Sequence, residues 1–249
     1  MLARDIAQNR LYKDLAWLWP LVSVPEDYAK EAAFWKNVLR SRLGDGRHHL
    51  LELGVGGGNN LSHLTADFDA TAVDLSPEML EHCRKLNPSV DVHVGDMRSV
   101  RLDREFDAVI IHDAVSYLAS VDDIRATMQT AWVHLRSGGV FVFSPDYVVE
   151  TFSDNCVRHD VTTVGNTTLA YYEFDWQPDP AAHRVECLIT YVIRQGEKLT
   201  VEHDRHVVGL FSRQVWLDEL AAAGFAADTV DYPVHDDARQ GYLFVGVKP

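Results

Sequence analysis

Cysteine is scarce in this chain: Cys83, Cys156 and Cys187 are the only three among 249 residues. An odd number so widely spaced excludes a disulfide framework and offers no CxxC pair to a metal. Basic residues are also few, 23 Lys and Arg against 37 Asp and Glu, for a formal net charge of −14. A surface of that sign repels phosphate backbones and anionic lipids, and no basic cluster offsets it locally, so neither nucleic acid nor a membrane is an expected partner. Long apolar runs are missing too, and nothing approaches the span of a membrane helix. The opening "MLARDIAQNRLYKDLAWLWP" interleaves charge with apolar residues and has neither an h-region nor a small-residue cleavage site. A soluble, cytoplasmic protein is the expectation.

The chain does contain 47% hydrophobic residues, enough for a substantial α/β core, and a single domain over 1–249 is expected. Residues 8–19 place Leu11, Leu15 and Leu18 at helical spacing, with Trp17 and Trp19 read as packing that helix down. A second helix opens at Pro25, runs Tyr28, Ala32, Trp35 and Leu39 along one face, and stops at Gly44 and Gly46. Together they make an N-terminal helical cap over 1–46. From residue 48 short apolar runs alternate with helical patterns, the mark of βαβ units around a parallel sheet. Strands are expected near 48–53, 70–74, 90–94, 106–111 and 139–144, with helices near 58–66, 77–86 and 121–135. Ser76 is the N-cap of the middle helix, and Met79 and Leu80 read as core. After residue 145 the alternation stops. The stretch 168–211, rich in β-branched and aromatic residues, predicts three antiparallel strands, within an insertion over 160–210 read as a lid or a dimer surface. A helix over 212–223 capped by Ser212 and strands near 226–231 and 241–247 finish the chain, the last antiparallel.

The stretch "LLELGVGGGNN", residues 50–60, is an apolar run breaking into a glycine turn, which raises the question of its ligand. A P-loop requires Gly-Lys-Ser/Thr and is excluded, because the turn ends in Gly58-Asn59-Asn60. A nicotinamide site wants G-x-G-x-x-G; Gly54 and Gly56 fit, but Asn59 stands in the sixth position. Glu52 lies two residues before the first glycine at the end of a buried strand, where a carboxylate suits a cationic ligand. Asp74 ends the second strand, placed to accept both hydroxyls of a ribose. Asp96 in "VGDM" ends the third, placed to accept from an exocyclic amine with Met97 packing on a purine.

In "LLELGVGGGNN", "ATAVDLSPEML", "VHVGDMRSV", "FDAVIIHDAVSYL", "LRSGGVFVFSP" and "GYLFVGVKP" the chain resembles the class I S-adenosylmethionine-dependent methyltransferases over nearly its whole length. The resemblance implies a Rossmann-like α/β fold with a seven-stranded sheet. It also implies S-adenosyl-L-methionine as cofactor: Gly54, Gly56 and Gly58 passing under the methionine part, Glu52 supporting the turn and the aminoacyl end, Asp74 binding ribose, Leu75 lining the adenine pocket, Asp96 and Met97 holding adenine, and His112 facing the donor end. "LYKDL" and "RHVVGLFSRQVWLDELAAAGF" look most like the TDP-amino-sugar N-methyltransferases. By that resemblance Tyr12 closes over the cofactor. A base histidine of such enzymes would fall near Tyr117, a departure that His112 could compensate from a neighbouring place.

The acceptor is expected to be a small soluble molecule methylated at nitrogen or oxygen. The catalytic candidates are His112, Tyr117 and Tyr12, with Asp113, Asp146 and Tyr147 also near the ends of strands four and five. Methyl transfer draws its reactivity from the cofactor, so the protein mainly supplies orientation, desolvation and sometimes a base. His203 and His206, three apart on a strand, point to opposite faces, so no metal site is expected. Two other readings stay open on sequence alone: a nicotinamide-dependent oxidoreductase, and a non-catalytic cofactor-binding protein, with a homodimer built through the β-insertion as its possible form.

Overall fold

The apolar runs become strands whose alternate side chains go to opposite faces of one sheet. In β1 (His48–Leu53), Leu51 and Leu53 face one core while Leu50 faces another; in β4 (Phe106–Ile111) and β5 (Leu135–Phe143), Val109, Ile111, Phe141 and Phe143 join the first core, and Ala108, Ile110, Val140 and Val142 the second. Helices cover both faces. α2 (Ala29–Leu43) contributes Trp35 and Leu39, and α4 (Pro77–Leu86) Leu80, to the second core. α5 (Val121–His134) contributes Ile124 and Met128, and α6 (Arg213–Ala222) Trp216 and Leu220, to the first. This computed structural model describes residues 5–234 and 239–249. The first four residues of the expected N-terminal cap lie outside the described residues.

With β2 (Phe68–Asp74), β3 (Asp91–Val94), β10 (Ala226–Val234) and β11 (Arg239–Val247), the sheet has seven strands in the order β10-β11-β5-β4-β1-β2-β3. Every adjacent pair is parallel except those made by β11, antiparallel to both β10 and β5. The Rossmann-like reading holds. Between β5 and α6 a separate antiparallel sheet forms from β6 (Cys156–Val164), β7 (Thr167–Trp176), β8 (Arg184–Gln195) and β9 (Lys198–Gly209). It has four strands, not three; the first, mostly polar across Arg158–Asp160 and Thr162–Thr163, lay upstream of the aromatic-rich stretch on which the expectation rested.

The helix expected over 8–19 does not form. The segment makes 3-10 turns at Arg10–Tyr12 and Ala16–Leu18, then a short helix, α1 (Trp19–Val22). Its amides are taken by tertiary partners: Asp204 on β9 accepts from Arg10 N at 2.9 Å and Leu11 N at 2.8 Å, and Arg205 O accepts from Asn9 N at 3.1 Å. The periodic leucines are nonetheless buried, Leu11, Leu15 and Leu18 against Cys187, Ile189 and Tyr191 of β8. The helix expected near 58–66 is likewise one short turn, α3 (Asn59–Ser62). No helix among the described residues is long and apolar enough to cross a membrane.

Candidate active site

The chain order reverses between β1 and β4, and the carboxyl ends of strands at such a switch point splay to leave a crevice. There the glycine turn follows β1. Gly54 has φ +73°, a left-handed conformation that favours glycine, and a Cβ on it would run into Ala114. Its amide and that of Val55 both bond Val73 O, at 2.7 and 3.0 Å, which ties the turn to β2. The crevice is a cavity of about 510 Å³ lined by Tyr12, Glu52, Gly54, Gly56, Asp74, Leu75, Asp96, Met97, His112, Asp113 and Tyr117.

Three expected residues do not line the cavity. Gly58 opens α3, where a Cβ would approach Asn87 Nδ2 at 2.5 Å and Cys83 Sγ at 2.8 Å, so packing against α4 accounts for the glycine. Tyr147 donates to Asp175 at 2.8 Å and receives Arg158 at 2.7 Å, within a buried cluster that includes Glu173 and Cys187. Asp146, whose amide donates to Ser116 Oγ at 2.8 Å, is not among the cavity-lining residues. Of the tryptophans read as packing residues, Trp17 is 46% exposed and Trp19 lines the cavity.

Along one side of the cavity, buried polar atoms lack partners among the described residues: Glu52 Oε2, Trp19 Nε1, and both Oδ1 and Nδ2 of Asn60. An unmet buried polar group costs about 1–3 kcal/mol, so this set calls for a ligand that brings both donors and acceptors. Glu52 is 2% exposed, and burial pushes its carboxyl up to about 8, with His112 opposing and Asp113 and Asp74 adding to the rise. An arriving cation would be attracted to the carboxylate form. An α-amino acid, carrying one ammonium and one carboxylate, answers both requirements.

Asp74 accepts Gly56 N on Oδ2 at 2.7 Å and Ser76 N on Oδ1 at 2.8 Å, leaving a second lone pair on each oxygen. Burial raises its pKa against these amides. Beside it Leu75 is 67% exposed, an apolar surface open to a flat ligand, with Met97 also on the cavity wall. Asp96 differs. Arg98 closes on both its oxygens through Nε and Nη2 (3.0 and 2.6 Å) and through its own amide at 2.9 Å, holding the carboxyl below its usual range. Any ligand amine must share Asp96 with that guanidinium.

His112 is held by Glu31 on α2, Nε2 to Oε2 at 2.9 Å, with Asp113 3.7 Å from Nδ1. Burial favours the neutral ring, but the Asp113 and Glu31 carboxylates beside it prevail and its pKa is raised well above normal. The ring thus has a carboxylate near each nitrogen.

Around the tyrosines the structure assembles residues that sequence reasoning missed. Tyr12 Oη lies 2.9 Å from Tyr117 Oη, which lies 2.6 Å from His206 Nδ1; His206 Nε2 is 2.8 Å from Asp204 Oδ2. His203 does fall on the other face of β9, its Nδ1 3.1 Å from Thr190 Oγ1. The usable signal was the D-x-H spacing of Asp204 and His206, which puts both on one face of a strand.

Residues 50–139 match the family described as a methyltransferase domain. The chain belongs to the class I S-adenosylmethionine-dependent methyltransferases, and its cofactor is S-adenosylmethionine. More particularly, it is 35% identical over 224 residues, 89% of this chain and 92% of the other, to the dTDP-3-amino-3,4,6-trideoxy-alpha-D-glucopyranose N,N-dimethyltransferase of Streptomyces venezuelae. The crystal structure of Streptomyces venezuelae DesVI is similar with a TM-score of 0.80 at 31% identity, covering 90% of this chain and 92% of that one. SAM-bound CalS10, an amino pentose methyltransferase from Micromonospora echinaspora, is similar with a TM-score of 0.77 at 27% identity, over 89% and 92% of the two chains. The nicotinamide reading of the glycine turn is thereby set aside, since the family match includes that turn.

Proposed function

We propose that this enzyme methylates the amine of a deoxyamino sugar carried on a nucleoside diphosphate. The observation that carries the reading is one continuous cavity joining the unpartnered groups around the glycine turn to the Tyr12–Tyr117 pair. The first set suits the zwitterionic end of the cofactor: Glu52 for the ammonium, Trp19 and Asn60 for the carboxylate. Asp74 then takes the ribose, while Leu75 and Met97 flank the adenine with Asp96 at its amine. When bound, the cofactor supplies an electrophilic methyl group on sulfur. The chain holds the acceptor in line with it, excludes water, and manages the proton of the amine. The kinship to the N,N-dimethyltransferase favours nitrogen over oxygen.

The test is incubation with S-adenosylmethionine and dTDP-3-amino-3,4,6-trideoxy-α-D-glucopyranose, read by mass spectrometry. The expected result is a gain of one or two methyl groups, and none on the 3-hydroxy analogue. No gain on any amino sugar, despite bound cofactor, would favour a non-catalytic binding protein.

A second proposal concerns assembly. Val157, Val161, Tyr172, Phe174, Leu199 and Val201 are exposed on one face of the four-stranded sheet, and such a patch favours pairing of two copies of this chain. Analytical ultracentrifugation should find a dimer that Phe174→Glu splits; a monomer at every concentration would remove this proposal.

A further inference from the structure

We infer that Asp204, His206, Tyr117 and Tyr12 form a proton relay that takes the proton from the acceptor's ammonium group. The inference deepens the proposed function and rests on its reading of the acceptor as an amine.

The direction of each hydrogen bond follows from the far end. Asp204 is fully buried; burial alone would raise its carboxyl, but hydrogen bonds from His206 and from the Arg10 and Leu11 amides hold it below the usual range. An ionised carboxylate only accepts, so His206 Nε2 carries hydrogen and donates to it. In the neutral ring Nδ1 is then bare and accepts from Tyr117 Oη; Tyr117 Oη in turn accepts from Tyr12 Oη. With its own hydrogen committed inward, the Tyr12 oxygen offers lone pairs to the cavity it lines. That is the partner an N–H donor needs.

An ammonium seated there gives its proton to Tyr12 Oη as the Tyr12 hydrogen passes to Tyr117 Oη and the Tyr117 hydrogen to His206 Nδ1. The products are a neutral amine with a free lone pair, two unchanged phenols, and an imidazolium beside the Asp204 carboxylate. Burial pushes both phenols well above their ordinary range, so they pass protons as neutral hydroxyls. Asp113 and Asp146 face both tyrosines, Asp74 faces Tyr12, Cys187 stands across the strand pair from His206, and Tyr191 neighbours Asp204 and Tyr12. Arg10, above Asp204, spends its guanidinium on Asp14 and Glu202. The surrounding carboxylates favour the positive charge that the relay creates. Asp204 acts through His206 and also fastens the segment carrying Tyr12, so it is a positioning residue.

Two readouts test the relay. Nitrogen-15 NMR of the cofactor-free protein, with the His206 signals assigned by their loss in H206N, should show Nε2 protonated and Nδ1 bare; hydrogen on Nδ1 alone would overturn the proposal. The second is the pH profile of kcat/KM on dTDP-3-amino-3,4,6-trideoxy-α-D-glucopyranose. In Tyr117→Phe, which removes only one hydroxyl, and in H206N, activity should drop roughly hundredfold near pH 7. The deficit should shrink as pH rises through the substrate amine's own pKa, where the neutral amine is delivered ready-made. A loss of equal size at every pH, or no loss, with wild-type turnover intact, would overturn the relay and leave the amine reading standing. Failure of the wild-type enzyme on every amino sugar would overturn both.

Discussion

Cofactor binding should be coupled to a proton at Glu52. The carboxyl stands at about 8 because it is buried with one oxygen unpartnered. At pH 6.5 most of it is therefore protonated in the free enzyme. S-adenosylhomocysteine brings the α-ammonium of a free amino acid, which is still mostly protonated at pH 8. If the two meet, the complex holds carboxylate and ammonium, whichever form each had in solution. At pH 6.5 this requires release of most of one proton from Glu52, and the release declines as pH rises through the carboxyl's own pKa. Apparent affinity should rise with pH over this range and be weaker at pH 6.5 than at pH 8 by about fifteenfold, ~1.6 kcal/mol. Titration calorimetry in buffers of different ionisation enthalpy reads the proton count directly. Glu52→Gln keeps the shape, and should abolish the release at pH 6.5 and remove the acid limb of the affinity profile. A wild-type enthalpy independent of buffer at pH 6.5, or the same release from the glutamine variant, would refute the placement of the ammonium on Glu52.

The other two strand-end acids should separate in size. Asp74→Ala should weaken S-adenosylhomocysteine binding by about 1–3 kcal/mol, because each Asp74 oxygen keeps a lone pair for the ligand. Asp96→Ala should lose less, since Arg98 already occupies that carboxylate; equal losses by calorimetry would show that the ion pair opens on binding. Ser76 accepts Met79 N at 3.0 Å as the cap of α4 and donates to Tyr12 O at 2.6 Å. Ser76→Ala should therefore cost about 1 kcal/mol, seen in scanning calorimetry as a fall of about 2–4 °C in Tm; an unchanged Tm would show that neither bond contributes.

What could be read from the sequence was what neighbouring residues decide among themselves. A strand buried on both faces must be apolar throughout, so 106–111 announced β4 at its observed bounds. A serine before Pro77 and Glu78 caps its own helix, and Ser212 does the same for α6. A glycine turn directly after Glu52 set that carboxylate and the turn together on the cavity wall for the same local reason. Tertiary structure decided wherever a distant partner outbids local propensity. Leucines at helical spacing in residues 8–19 bury as expected, yet the helix yields to 3-10 turns because Asp204, far along the chain, takes the Arg10 and Leu11 amides. The same docking carries Trp19 to the cavity and Tyr12 to Tyr117. His206 could not be ranked from its neighbours, since only the fold sets it 2.6 Å from Tyr117 Oη. Periodicity is a property of adjacent residues, whereas the Tyr12–Tyr117–His206 cluster is made from three segments that meet only when the N-terminal chain lies down on β9.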